Sequence, residues 1–128
     1  MPIVNPAFLD ARLIDPNVAR ILRDLKSVAN GLTALAGGGQ TGATLVSNAF
    51  NRFTTVATAA DSAILPSAQP GMETTVTNAA AANSMNLFPA VGDSINAGAA
   101  NAAFAIAAAK SAYLFCTNTG QWHAVLTA

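Results

Sequence analysis

Charge is scarce in this chain, and scarcest where the chain is longest. Charged side chains make up 9% of its 128 residues, where about a quarter is usual for soluble domains. Seven of the twelve lie between Asp10 and Lys26; the rest of the chain holds only Arg52, Asp61, Glu73, Asp93 and Lys110. Acids and bases balance at six each, so no long-range field draws the chain to nucleic acid or an anionic membrane, and neither is expected as a partner. Cysteine is nearly absent: Cys116 alone cannot close an internal disulfide. Histidine is equally rare. His123 and Cys116 together supply at most two of the three or four ligands that a zinc site needs, so neither metal nor cofactor is expected. The start, "MPIVNPAFLDARLIDP", lacks the basic residues and apolar run of a secretory signal. The most apolar window, Ala97 to Cys116, is alanine-rich and broken by Asn101 and Lys110, which argues against a membrane span.

Apolar residue types fill 52% of the chain, enough for one domain with a real core. So low a charge leaves Ser, Thr and Asn to keep the surface soluble, or an assembly to cover it. Residues 1–14 set Pro2 and Pro6 among Ile3, Val4, Phe8, Leu9, Leu13 and Ile14. Proline resists regular structure and the apolar side chains favour burial. The segment reads either as an extended arm that binds a partner surface or as a short strand on its own domain. Asp15-Pro16 suits a helix start. Val18, Ile21, Leu25 and Val28 then recur at spacings of three and four, with Arg20, Arg23, Asp24 and Lys26 opposite. The pattern predicts an amphipathic helix that stops near Asn30-Gly31. Its seam, under two heptads long, packs either on its own domain or around a symmetry axis. "GGGQTG", Gly37 to Gly42, reads as a flexible joint. It lacks the Lys-Ser or Lys-Thr of a phosphate-binding loop. The chain thus divides into 1–40, an arm, a helix and a joint, and 41–128, a β-domain.

Beyond Gly42 short segments alternate with turn signals: "FNRFTTVAT", "SAILPSA", "METTVTN", "SMNLFPAV" and "QWHAVLT". Strands about ten residues apart suggest a β-sandwich or barrel. Met72, Thr74 and Val76 alternate with Glu73, Thr75 and Thr77, as one buried face requires. The alanine-rich stretch "AANAAFAIAAAKSAYL" fits a helix by propensity and a strand by the alternation of Phe104 with Ile106 and of Tyr113 with Phe115; the residues leave both open. The fold class expected is mainly β, a single β-sandwich or jelly-roll-like domain behind an extended arm and one amphipathic helix.

Nothing in the spacing of Asp61, Asp93 and His123 requires them to meet, so no Ser/His/Asp triad can be nominated. Asp61, Glu73 and Asp93 could in principle supply a glycosidase pair, but polysaccharide-degrading β-proteins usually need a much longer solenoid, and no enzymatic activity is expected. Trp122, the one tryptophan, reads as a core anchor rather than a sugar-stacking ring. Cys116, in "YLFCT", reads as a buried, inert thiol.

From "ILPSAQPGMETTVTNAAAANSMNLFPAVGDSINAGAANAAFAIAAAKSAYLFCTNTGQWHAV" a family resemblance emerges. The order is a Leu-Pro, a Pro-Gly turn, a polar strand ending in Asn, "NLFPAVGDSIN", a small-residue stretch, an aromatic strand and a closing "GQWHA". It resembles a β-module of tailed-bacteriophage structural proteins, among them capsid decoration (cement) proteins, head fibres and parts of tail fibres. It covers about residues 62–126, half the chain, and no catalytic motif. It implies strands over 102–116 and a turn at "VGDSIN", where the Asp93 carboxylate can bond nearby backbone N–H groups. It further implies a virion protein made in the host cytoplasm and placed on the capsid surface. Such a protein would bind the major capsid protein through Ile3, Val4, Phe8, Leu9, Leu13 and Ile14 and stabilise the assembled shell. The Val18, Ile21, Leu25 and Val28 seam would join it into a homo-oligomer, for which a trimer is expected. The alternatives are a tail- or head-fibre module that recognises host glycan and a non-viral oligomeric adhesion module.

Overall fold

The computed structural model describes Asn17 and residues 25–128. The described chain is mainly β, with ten strands in two sheets. Strands β1 (Val28–Thr33), β3 (Phe50–Thr55) and β5 (Glu73–Asn78) run parallel in one sheet. Strands β2 (Thr44–Leu45), β4 (Ser62–Ile64) and β6 (Met85–Phe88) run parallel in the other. The chain alternates between the sheets, so three successive coils stack, and Phe50 is the register partner of both Val28 and Thr75. The coil then reverses. Past the two-residue β7 (Ser94–Ile95), strand β8 (Phe104–Ile106) pairs antiparallel with β6, and β9 (Lys110–Asn118) pairs antiparallel with β5. Last, β10 (Gln121–Leu126) runs antiparallel to β9 and parallel to β7.

This arrangement is solenoid-like and corrects the expected sandwich. Short strands with turns between them read alike in both architectures; what differs is whether same-sheet neighbours are parallel, and periodicity is blind to that. The expected strands are present. Thr74 and Val76 are buried with Met72 packed against the core, and the alanine-rich stretch forms β8 and the start of β9, not a helix.

The expected helix does not reach Asn30. Asn17, within its expected span, is helical, residues 18–24 lie outside the described residues, and Val28 begins β1. The Val28–Leu32 spacing fits a helical face, but pairing with β3 satisfies the backbone across the sheet and overrides it. Asn30-Gly31 ends no helix. It marks a register shift in β1, a bulge at which Gly31 takes a positive φ of 77°. Of the seam, Leu25 and Val28 are solvent-exposed, while Val18 and Ile21 lie outside the described residues. The arm residues Ile3, Val4, Phe8, Leu9, Leu13 and Ile14 lie outside them too.

The glycine run is tied down. Gly37 N–H donates to Asp61 Oδ1 at 3.1 Å, Ser62 Oγ to the Gly39 carbonyl at 2.7 Å, and Gln40 Nε2 to the Pro89 carbonyl at 2.8 Å. A Cβ on Gly38 would stand 2.6 Å from the Ala60 carbonyl oxygen, so no larger residue fits there. The boundary expected at residue 40 therefore falls between strands of one sheet, since β1 before it pairs with β3 after it.

The core lies between the sheets: Phe53, Val76, Leu114 and Trp122 from the larger, Ala63, Met85, Leu87 and Ile106 from the smaller. Buried polar side chains hold the corners. Asn78, fully buried, donates through Nδ2 to the carbonyls of Asn83 and Ile106, and its Oδ1 accepts from Ala80 N–H. Asn51 bonds in the same way to Asn48, Thr74 and Thr75. Asp61 receives Gly37 and Thr58 N–H. Replacing Asn78 with Ala removes partners from three backbone groups, and each orphaned buried group costs about 1–3 kcal/mol. Denaturant unfolding of Asn78→Ala is therefore expected to show a loss of roughly 2–4 kcal/mol. The opposite sign is expected at Ala109. This residue takes a φ of 62° inside the turn closed by Lys110 N–H to the Ala107 carbonyl. Glycine favours that position, and Ala109→Gly is expected to raise the midpoint by relieving up to about 1 kcal/mol of strain.

Candidate functional site

The larger sheet keeps one face on the core and turns the other to solvent. Pleating sends alternate residues outward, and the pairing register sets them in rows. One row runs Val28, Phe50, Thr75, Tyr113, Val125 across five strands. A second, on one side of it, runs Asn30, Arg52, Thr77, Ser111. A third, on the other side, runs Glu73, Phe115, His123.

Aromatic rings gather where the first and third rows meet. Tyr113 and Phe115, two apart on β9, stack with centroids 5.7 Å apart, and Phe115 stacks on His123 across the strand pair at 5.2 Å. The Tyr113 hydroxyl donates to Glu73 Oε2 at 2.8 Å. This hydrogen bond first, then desolvation and the carboxylate's charge, holds the Tyr113 phenol above its usual pKa of 10.0. The phenol therefore stays protonated and donating at neutral pH. His123 Nε2 lies 3.1 Å from the Thr117 hydroxyl.

Two depressions meet at Glu73. One, of about 410 Å³, has walls of Leu45, Val46, Pro66, Met72 and Trp122. The other is smaller, about 70 Å³, and is bordered by Lys26, Phe50, Thr75 and Tyr113. The first is apolar and Glu73 supplies its one charged group, so it offers contact area and a single acceptor rather than an acid–base pair.

The groups that carry chemistry elsewhere lie apart from this face. Asp61 is buried under the glycine loop. Asp93 accepts from Ala68 N–H at 2.9 Å, a partner 25 residues away rather than the local one expected. The turn expected at Asp93 does form, closed by Asp93 N–H to the Ala90 carbonyl. Trp122 is a core side chain, with Nε1 donating to the Pro66 carbonyl at 3.2 Å. Cys116 is buried, its thiol directed at the Asn118 carbonyl. Among the described residues no three His, Cys, Asp or Glu side chains gather as a metal site would require.

Sequence reasoning missed this face. Alternation in "AYLFCT" and "QWHAV" shows that Tyr113, Phe115 and His123 point one way on their strands, and that was the available signal. That Glu73, 40 residues from Tyr113, joins them is a matter of register alone.

Tyr113 is the chain's one tyrosine, so phenolate absorbance reports it alone. Titration is expected to give a pKa above 10, and Glu73→Gln to bring it down towards the ordinary value; an unchanged titration would show that the pair does not form. No family model, no curated protein and no solved structure matches the chain, so its function is argued from these groups.

Proposed function

We propose that the chain is a decoration protein of a tailed-bacteriophage head, which binds the assembled shell and stabilises it. The observation that carries this reading is a small β-coil, residues 28–126, whose buried acid and carboxamides serve its own backbone. At β1 it continues from a segment that sets Ile3, Val4, Phe8, Leu9, Leu13 and Ile14 between prolines. The coil offers area and little charge, and the segment offers apolar side chains. Together these suit adhesion to a surface better than turnover of a substrate. The resemblance over residues 62–126 supports the same reading.

Stabilisation follows by mass action. A protein that binds the assembled lattice and not its separated subunits lowers the free energy of the shell, by about 2.7 kcal/mol per site at a hundredfold excess over Kd. The contact is apolar in this reading, so added salt weakens it little.

The test is to prepare particles lacking the protein, then heat them with and without the protein added back. Genome release is expected at lower temperature without it and to recover on addition, with host adsorption unchanged. Lost adsorption with unchanged thermal release would favour the host-glycan alternative. Removing residues 1–24 is expected to leave a folded β-protein, read by circular dichroism, that no longer adds back to particles; full addition would place the binding surface on the coil.

A further inference from the structure

We propose that the solvent face of the larger sheet is a homotypic interface, on which a second copy of this chain packs face to face. This does not depend on the shell-binding reading.

The edges of both sheets are poor sites for self-association. Strand β7 and strand β2 have two residues each, β8 has three, and β1 carries its bulge at Gly31. Short and bulged edges block strand addition between copies. The smaller sheet is also partly covered outside, where the glycine loop binds Ser62 and Asp61. The larger sheet's outer face has no such cover among the described residues. Its central row leaves Val28 63%, Phe50 45%, Tyr113 44% and Val125 59% exposed. Half-exposed side chains of this size present together about 300–400 Å² of apolar surface, within the range of the largest patch on a typical monomer. Five strands about 4.8 Å apart and six residues long make a face of roughly 24 by 20 Å. That lies at the small end of specific interfaces, so a weak dimer with a Kd on the order of 10 μM is expected.

Charge selects a second copy as the occupant. Arg52 stands in the row on one side of the apolar row and Glu73 in the row on the other, on adjacent strands, with Lys26 bordering the same depression as Glu73. A two-fold axis along the apolar row lays that row on itself. It brings Arg52 of each copy beside Glu73 of the other, and the twist of the sheets turns the strands by about 30°. The face is thus self-complementary in its apolar row and at the two Arg52–Glu73 contacts, with Lys26 flanking each Glu73. The same patch on both partners closes as a pair, so the structure favours a dimer where the sequence suggested a trimer.

The test is the mass of the full chain by light scattering, measured as concentration rises through the micromolar range without any particle present. A rise from one chain mass to two is expected. Val125→Lys is expected to remain at one, with its circular dichroism and thermal midpoint unchanged. Arg52→Glu and Glu73→Arg are each expected to weaken self-association about tenfold or more, since like charges then face across the axis. A mixture of the two should pair again to within about threefold of the unaltered chain, because both contacts are then between opposite charges. A chain mass constant over the whole range, a threefold mass, or a mixture no tighter than either variant alone would overturn the proposal. If a charge variant fails to fold, the unaltered chain's titration and Val125→Lys decide it.

Discussion

Side-chain hydrogen bonds to backbone at the corners are the constraint on which the coil depends. A parallel coil must turn between sheets twice per circuit, and each turn carries backbone N–H and C=O groups that neither sheet can pair. Here carboxamides and a carboxylate take them. Asn51 serves the corner entering β3, Asn78 the one leaving β5, and Asp61 joins the glycine loop to the corner before β4. Asn83 reaches back to the carbonyls of Val56 and Ala57, one coil earlier. No buried side-chain polar atom among the described residues lacks a partner. Such complete satisfaction rigidifies a small domain, because a half-satisfied network would destabilise it.

The corners also govern what the surface can do. Two of the coil's three acids serve as backbone acceptors, Asp61 for Gly37 and Thr58 N–H and Asp93 for Ala68 N–H. Glu73 is the exception. It lies on the outer face, where its partners are the Tyr113 hydroxyl and solvent. The stacked rings beside it turn an otherwise Thr- and Ser-lined sheet into a surface with one apolar row. An apolar row flanked by Arg52 on one side and by Glu73 and Lys26 on the other suits association, and the shell-binding and pairing proposals draw on different parts of the chain: the N-terminal segment and this face.

The small side chains have a structural role as well. Gly38 allows the loop to approach Ala60 closely, and the alanines at 60, 97 and 109 hold positive φ in tight corners. Each such alanine carries strain that the surrounding hydrogen bonds maintain.

The sequence by itself determined most strands after Gly42, because side-chain alternation and turn residues are local properties; the alanine-rich stretch of β8 and the start of β9 it left open between helix and strand. It likewise determined that Trp122 and Cys116 are core. Residues 28–33 show the limit of local reading. Val28 and Leu32 fit a helical spacing, yet they form β1, since a parallel partner more than fifteen residues ahead supplies the backbone bonds. Only the tertiary structure decided between coil and sandwich, as strand direction leaves no trace in periodicity. Only it placed Glu73 against Tyr113 and set Val28, Phe50, Tyr113 and Val125 in one row, because register between distant strands is fixed by packing across the core and not by any neighbouring residue.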